Sequence, residues 1–329
     1  MNLPFHRHLA AVVVVSGFAL VQTQAAEDAA PLAPDAMVKI AGSKGKFDFL
    51  AVDSSHHRLL AAHEKDGTAD FIDLQSNTVL ARLKVGPAVG IASDPQAGKY
   101  YVSVQDDKRV AIIDATTLVE TGSVPTPAET DAILYDAKDH RVYVTNDNGK
   151  YLWAIDPVAG KVTAAIEIPG EPECMAHDES TGRIYLNIKN LNEVAVIDTK
   201  TNRVTAQWPT APVSGPHGLV FDAAAGRIYV SGDNGTLVAI DIKTGQVLSS
   251  AKITAKVDQI AFDAVTRRIF CAGPDYLSVV MATATGVESL GNASSAATAK
   301  NVAVDPATHK VWTTYTDGTD SFAKSWRQL

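Results

Sequence analysis

The chain has 329 residues, 46% of them hydrophobic and 20% charged, with 29 Lys+Arg against 37 Asp+Glu for a net charge of −8. This composition belongs to a folded chain and excludes a disordered or collagen-like one. The acidic balance argues against sequence-independent nucleic-acid binding, which needs a basic footprint, and two cysteines cannot build a disulfide framework.

Arg7 precedes an apolar run from Leu9 to Val21, and Ala25 and Ala26 follow soon after. A basic start, an apolar run and small residues at its exit read as a secretory signal peptide over residues 1–25, cleaved after Ala25. The run falls short of the roughly 20 apolar residues of a membrane span. No second long apolar stretch occurs, so a soluble periplasmic or secreted protein is expected, without a membrane span. Residues 26–35, rich in Ala, Pro and acid, read as a flexible lead-in.

The rest of the chain repeats. Asp53, Asp94, Asp136, Asp178, Asp222, Asp263 and Asp305 follow one another at intervals of 41 to 44 residues. A second comb, Asp73, Asp114, Asp156, Asp198 and Asp241, sits about twenty residues later. Such a period marks stacked supersecondary units. Residues 216–254 show one unit clearly: strands at 218–221, 227–231, 236–240 and 246–253, separated by turns rich in Asp, Asn and Gly. Second strands such as Val142 to Val144, Ile184 to Leu186 and Ile228 to Val230 are apolar at consecutive positions. A strand apolar on both sides is covered on both sides, which a ring of face-packed sheets provides. The expected fold is all-β: a seven-bladed β-propeller over 36–329 with four-stranded blades. The seventh unit offers strands only at 301–304, 311–315 and 322–327. The segment Ala36 to Ala41 is therefore expected to complete it, closing the ring and hiding an edge. In the sixth unit Ala282 replaces the second-comb Asp, and Gly291 to Lys300 reads as a linker.

Residues 142–146 read Val-Tyr-Val-Thr-Asn, 184–187 Ile-Tyr-Leu-Asn and 228–231 Ile-Tyr-Val-Ser, and Val-Ile-Asp or Ala-Ile-Asp segments follow. These stretches resemble the YVTN family of β-propeller repeats over essentially the whole mature chain. The resemblance implies a secreted or periplasmic propeller, of a kind that includes surface-layer proteins and accessory propellers carrying or processing redox cofactors.

The repeated Asp residues are read as turn-forming, since Asp bonds its own downstream N–H groups there. His56, His57, His140 and His309 fall in the same turns. The opposite face, where the chain leads into each first strand and leaves each second strand, is the expected functional rim. Five residues before each anchor Asp stand Asp48, Val89, Asp131, Glu173, His217, Asp258 and Lys300. At the second-strand exits stand His63, Glu64, Gln105, Asn146, Asp147, Lys189, Asp233 and Tyr315. We therefore take Asp48, His63, Asp131, Glu173, His217, Asp258 and Lys300 as a ligand-binding rim, with Asp131, Glu173 and His217 as the set for a divalent cation. The competing explanations are a merely solvated rim, and internal compensation of the acids by Lys300.

No Cys-x-x-Cys-His, His-Glu-x-x-His, Gly-x-Ser-x-Gly or phosphate-loop motif occurs, which argues against covalent haem, a zincin and a serine hydrolase. The expected function is a ligand-binding or accessory propeller whose top face holds a small ligand or a periplasmic protein. The alternatives are a metal-assisted lyase or lactonase, and a carrier of a non-covalent tetrapyrrole with His63 or His217 as axial ligand. Cys174 and Cys271, separated by a whole blade, are expected to be unpaired.

Overall fold

The strands form because Val, Ile and Tyr runs alternate with turns in which an Asp carboxylate caps the next two or three N–H groups. In the computed structural model Asp136 Oδ1 accepts from Lys138 N at 2.9 Å and Asp139 N at 3.2 Å. Asp94, Asp178, Asp263 and the second-comb residues make the same turn. The structure describes residue 1 and residues 30–329. The expected leader and its cleavage point lie outside the described residues. Among the described residues no helix is long and apolar enough to cross a membrane.

Seven four-stranded antiparallel sheets result. Blades one to six occupy 50–84, 88–125, 130–167, 172–209, 216–252 and 259–294. Blade seven combines Asn301–Val304, Val311–Thr316 and Ser321–Gln328 with the N-terminal strand Leu32–Ile40 on its outer edge. The all-β seven-bladed propeller closed by an N-terminal strand is thus the observed fold.

Two boundaries differ from expectation. The closing strand begins at Leu32, so the described part of the expected flexible lead-in is ordered. Leu32 pairs with Gln328 and fills a buried position beside Trp326, while Asp35 bridges Lys310 at 2.7 Å. Likewise the fourth strand of blade six runs Val287–Ser294, shortening the expected linker to 295–300.

Second strands are buried at almost every position, whereas outer strands such as Arg203–Pro209 alternate exposed and half-buried. This is the burial that face-packed blades impose. The core is accordingly split into seven clusters, one per junction between neighbouring blades. Tyr143, Tyr185 and Tyr229 are buried in three of them, as their equivalent places in the repeat imply. Cys174 and Cys271 are buried and unpaired.

Candidate binding site at the mouth of the channel

The seven first strands line the axis, and their leading ends crowd around one mouth. Three of the side chains at the mouth sit in a repeated irregularity. Strand register slips between Thr130 and Ile133, between Pro172 and Met175, and between Pro216 and Leu219. Asp131, Glu173 and His217 lie inside these slips. A β-bulge re-aims a side chain, and these three residues of the same phase all line the opening. The neighbouring blade holds the displaced backbone. Ser103 Oγ of blade two donates to the Asp131 carbonyl at 2.6 Å, and Asn187 Nδ2 of blade four donates to the His217 carbonyl at 2.8 Å. Gly90 shows how close the inner strands come: a Cβ there would lie 3.0 Å from the Asp131 carbonyl oxygen and 2.6 Å from Ser103 Oγ.

Gln259, the residue after Asp258, bonds to the first strands of the two blades that follow. Its Oε1 accepts from Leu50 N at 3.1 Å and Val302 N at 3.3 Å, and its Nε2 donates to the Leu50 carbonyl at 2.7 Å. One amide thereby ties blades six, seven and one together. At the mouth opens a cavity of about 270 Å³, lined by six carboxylates against two lysines, with His217 and Gln105.

Six of the seven expected rim residues line this cavity: Asp48, Asp131, Glu173, His217, Asp258 and Lys300. His63 does not. Its side chain is fully buried, its Nδ1 lies 2.8 Å from Asp70 Oδ2, its Nε2 meets Ser43 Oγ and the Gly45 carbonyl, and Phe47 stacks on its ring at 3.7 Å. With both ring nitrogens engaged, His63 is a packed structural residue and not a rim ligand or an axial ligand. Glu64, Gln105 and Asp147, noted at strand exits, do reach the cavity. Lys46 and Phe49 also line it. Lys46 belongs to the connection from the closing strand into blade one, and Phe49 is the residue after the rim position, where the other units carry Gly, Ala, Cys, Gln or Asn.

The charges pair unevenly. Glu173 meets Lys189 Nζ at 2.9 Å and His217 Nε2 at 2.7 Å; Asp258 meets Lys300 Nζ at 3.4 Å; Glu64 meets Lys46 Nζ at 3.1 Å. The expected compensation by Lys300 is therefore real but goes to Asp258. Among the described residues, Asp48 and Asp131 have no lysine, arginine or histidine within ion-pair distance.

Burial dominates the electrostatics. It pushes the Asp48 carboxyl up to about 7, with Glu64, Asp258 and Glu173 adding repulsion against the opposing pull of Lys46. Burial, together with Asp48 and Glu173, holds Asp131 well above the usual carboxylate range. Glu173 is raised to about 7, again by burial, although Lys189 pulls it down. Burial and then the nearby Lys189 and Lys300 lower His217 to about 3, so its imidazole is neutral. Carboxyls held this way stabilise an incoming cation and release their protons to solvent as it binds.

The trio expected for a metal is brought into one cavity but not to mutual ligating distance. The group of His, Asp and Glu donors found within 4.8 Å of one another lies elsewhere, at Asp136, His177 and Glu179. At the mouth His217 spends its Nε2 on Glu173 instead. The thiol of Cys174 faces the Asp258 carbonyl at 3.6 Å and is raised by burial, which makes it unreactive.

The family described as Domain of unknown function (DUF5074) matches residues 93–326. No curated protein sequence matches the chain. Among solved structures, Kuenenia stuttgartiensis Hydrazine Synthase is similar, with a TM-score of 0.75 and 12% identity over 88% of this chain and 99% of that one. At that identity the likeness bears on the fold alone.

Proposed function

We propose that this chain, which belongs to the DUF5074 family, is a ligand-binding propeller whose site is the acidic mouth of its channel. The ligand is a small cation, either a hydrated divalent ion or an organic ammonium. The observation that carries this reading is the convergence of Asp48 and Asp131 on one cavity, each raised in pKa and neither ion-paired within the chain. The spread of donors favours a species that brings its own water or several N–H groups over a bare ion gripped by three protein atoms. The leader over residues 1–25 and the Val-Tyr-Val-Thr-Asn repeat support a periplasmic or secreted location and a kinship with YVTN propellers. The cavity opens to solvent at this face, where a protein partner has room to dock.

Calorimetric titration of the metal-free protein with Ca²⁺, Zn²⁺, Cu²⁺ and a diamine such as putrescine tests the reading. Binding that weakens at least about tenfold in Asp131→Asn supports it, since one buried carboxylate contributes roughly 1.4 kcal/mol or more to a cation. Wild-type protein that binds none of the four rejects it.

One observation favours a second reading, an enzyme of the metal-assisted lyase or lactonase type. Glu173, raised to about 7 and bonded to a neutral His217, suits proton transfer near neutrality. Hydrolysis of a lactone in a panel assay, lost in Glu173→Gln, would favour it over simple binding.

A further inference from the structure

At the end of the ring opposite the mouth, the anchor Asp residues close the turns between first and second strands. Each uses Oδ1 for its own turn and offers Oδ2 outward. Nearly all of these second oxygens are taken. Asp53 receives Tyr100 OH and His56, Asp222 receives Tyr229 OH and Arg267, and Asp263 receives His309 and Gln328. Asp178 and Asp305 bind a threonine hydroxyl in their own turns. Asp136 breaks the pattern: its Oδ2 is buried and has no hydrogen-bond partner.

What faces that oxygen is His177, one residue before the anchor of the next blade. Its side chain is only 4% exposed, that of Asp136 only 1%. Neither ring nitrogen of His177 has a hydrogen-bond partner. Its Nε2 lies 3.6 Å from Asp136 Oδ2. That exceeds the ~2.7–3.2 Å of an N–H···O bond. It is close to the roughly 3.3–3.5 Å that separates two ligands of one tetrahedral ion bound at ~2.0–2.2 Å. A third donor, the carboxylate of Glu179, completes a group whose atoms all lie within 4.8 Å of one another. Glu179 is exposed, and Lys138 Nζ holds its backbone carbonyl at 2.9 Å, fixing the turn that carries it.

We propose that Asp136, His177 and Glu179 form a site for a divalent metal of the Zn²⁺ class at the junction of blades three and four. One imidazole and two carboxylates are a borderline N/O donor set. This suits Zn²⁺ and its neighbours and not Ca²⁺, which takes oxygen alone. The Asp and His come from the first strands of adjacent blades, Thr130–Asp136 and Pro172–Asp178. The bound ion therefore clamps one blade to the next, as Tyr100 on Asp53, Arg267 on Asp222 and His309 on Asp263 do at three other junctions. Glu179 on the solvent side leaves the fourth position to water, so the ion exchanges. The simpler alternative is a long His177–Asp136 hydrogen bond with no ion.

The test is Zn²⁺ titration of the metal-free full chain by calorimetry, with Co²⁺ absorption as a probe of four-coordinate ligation and thermal melting with and without Zn²⁺. The proposal expects a zinc-dependent rise in melting temperature and a Co²⁺ spectrum of four-coordinate intensity. Both should be lost in His177→Phe and retained in the mouth variant Asp131→Asn. Because His177→Phe alters a buried position, the exposed Glu179→Gln serves as the second variant, with zinc affinity expected to fall at least about tenfold. Unchanged zinc affinity in Glu179→Gln, or no zinc-dependent melting shift in the wild type, would overturn the proposal. Loss of cation binding at the mouth alone would leave this site standing.

Discussion

Glu173 is the residue at which the mouth trades stability for charge, and Glu173→Gln exposes the trade. Folding raises this carboxyl from its ordinary value near 4.5 to about 7, first through burial. The fold therefore favours the protonated form. Below pH 4.5 the group costs nothing; the cost grows as pH rises and is complete above 7. A gap of that size is worth about 3 kcal/mol at pH 8 and under about 1 kcal/mol at pH 5. The side chain is 16% exposed, so solvent screening trims the figure only modestly. Gln keeps the shape and a hydrogen bond to His217 but never ionises. Urea unfolding at pH 5 and pH 8 should thus show the variant gaining on the wild type by about 2–2.5 kcal/mol between the two conditions. Saturating cation should shrink that gain, because a bound positive charge restores the carboxylate. A variant whose advantage is the same at both pH values would refute the reasoning. So would one that loses ground at pH 8, since the pairing with Lys189 would then outweigh desolvation.

Three further outcomes follow from the same geometry. Cation affinity at the mouth should increase from pH 6 to pH 8, with proton release measurable by calorimetry in buffers of different ionisation enthalpy, because Asp48 titrates at about 7; affinity independent of pH would contradict the raised carboxyls. A chain truncated to begin at Gly42 loses Leu32, Val38 and Ile40, all buried, while Met37 is exposed and contributes little. At about 1.5–3 kcal/mol per buried side chain the loss rivals a domain's whole stability, so melting like the longer chain would disprove ring closure as the stabilising device. Tyr229→Ala removes a fully buried ring and the hydroxyl that donates to Asp222 at 2.8 Å; a loss of about 3–5 kcal/mol in denaturant unfolding is expected, and a loss below ~0.5 kcal/mol would contradict its place in the core.

The fold was legible because a propeller repeats a local unit. The interval between Asp53 and Asp305 counts the blades, and the turn each Asp makes depends only on its next three residues. The doubly apolar second strands announce cover on both faces. The shortfall in the last unit identifies the segment at 36–41 as the closing strand. The rim phase was legible for the same reason, and six of its seven residues share the cavity.

What sequence could not supply depends on contacts between units. His63 has a rim position in the repeat, yet Asp70, Ser43 and Phe47 hold it inside the fold. Lys46 lies in the one connection without a repeat to compare, and only ring closure brings it over the mouth. Asp131, Glu173 and His217 sit in register slips of their first strands, which strand pairing reveals and residue type does not. Asp136 looks like every other anchor along the chain. That its second oxygen lacks a partner, and that His177 faces it, is decided by the packing of blade four against blade three. Period and turn chemistry are properties of neighbours in the chain, whereas pKa, ligation and access are set by neighbours in space.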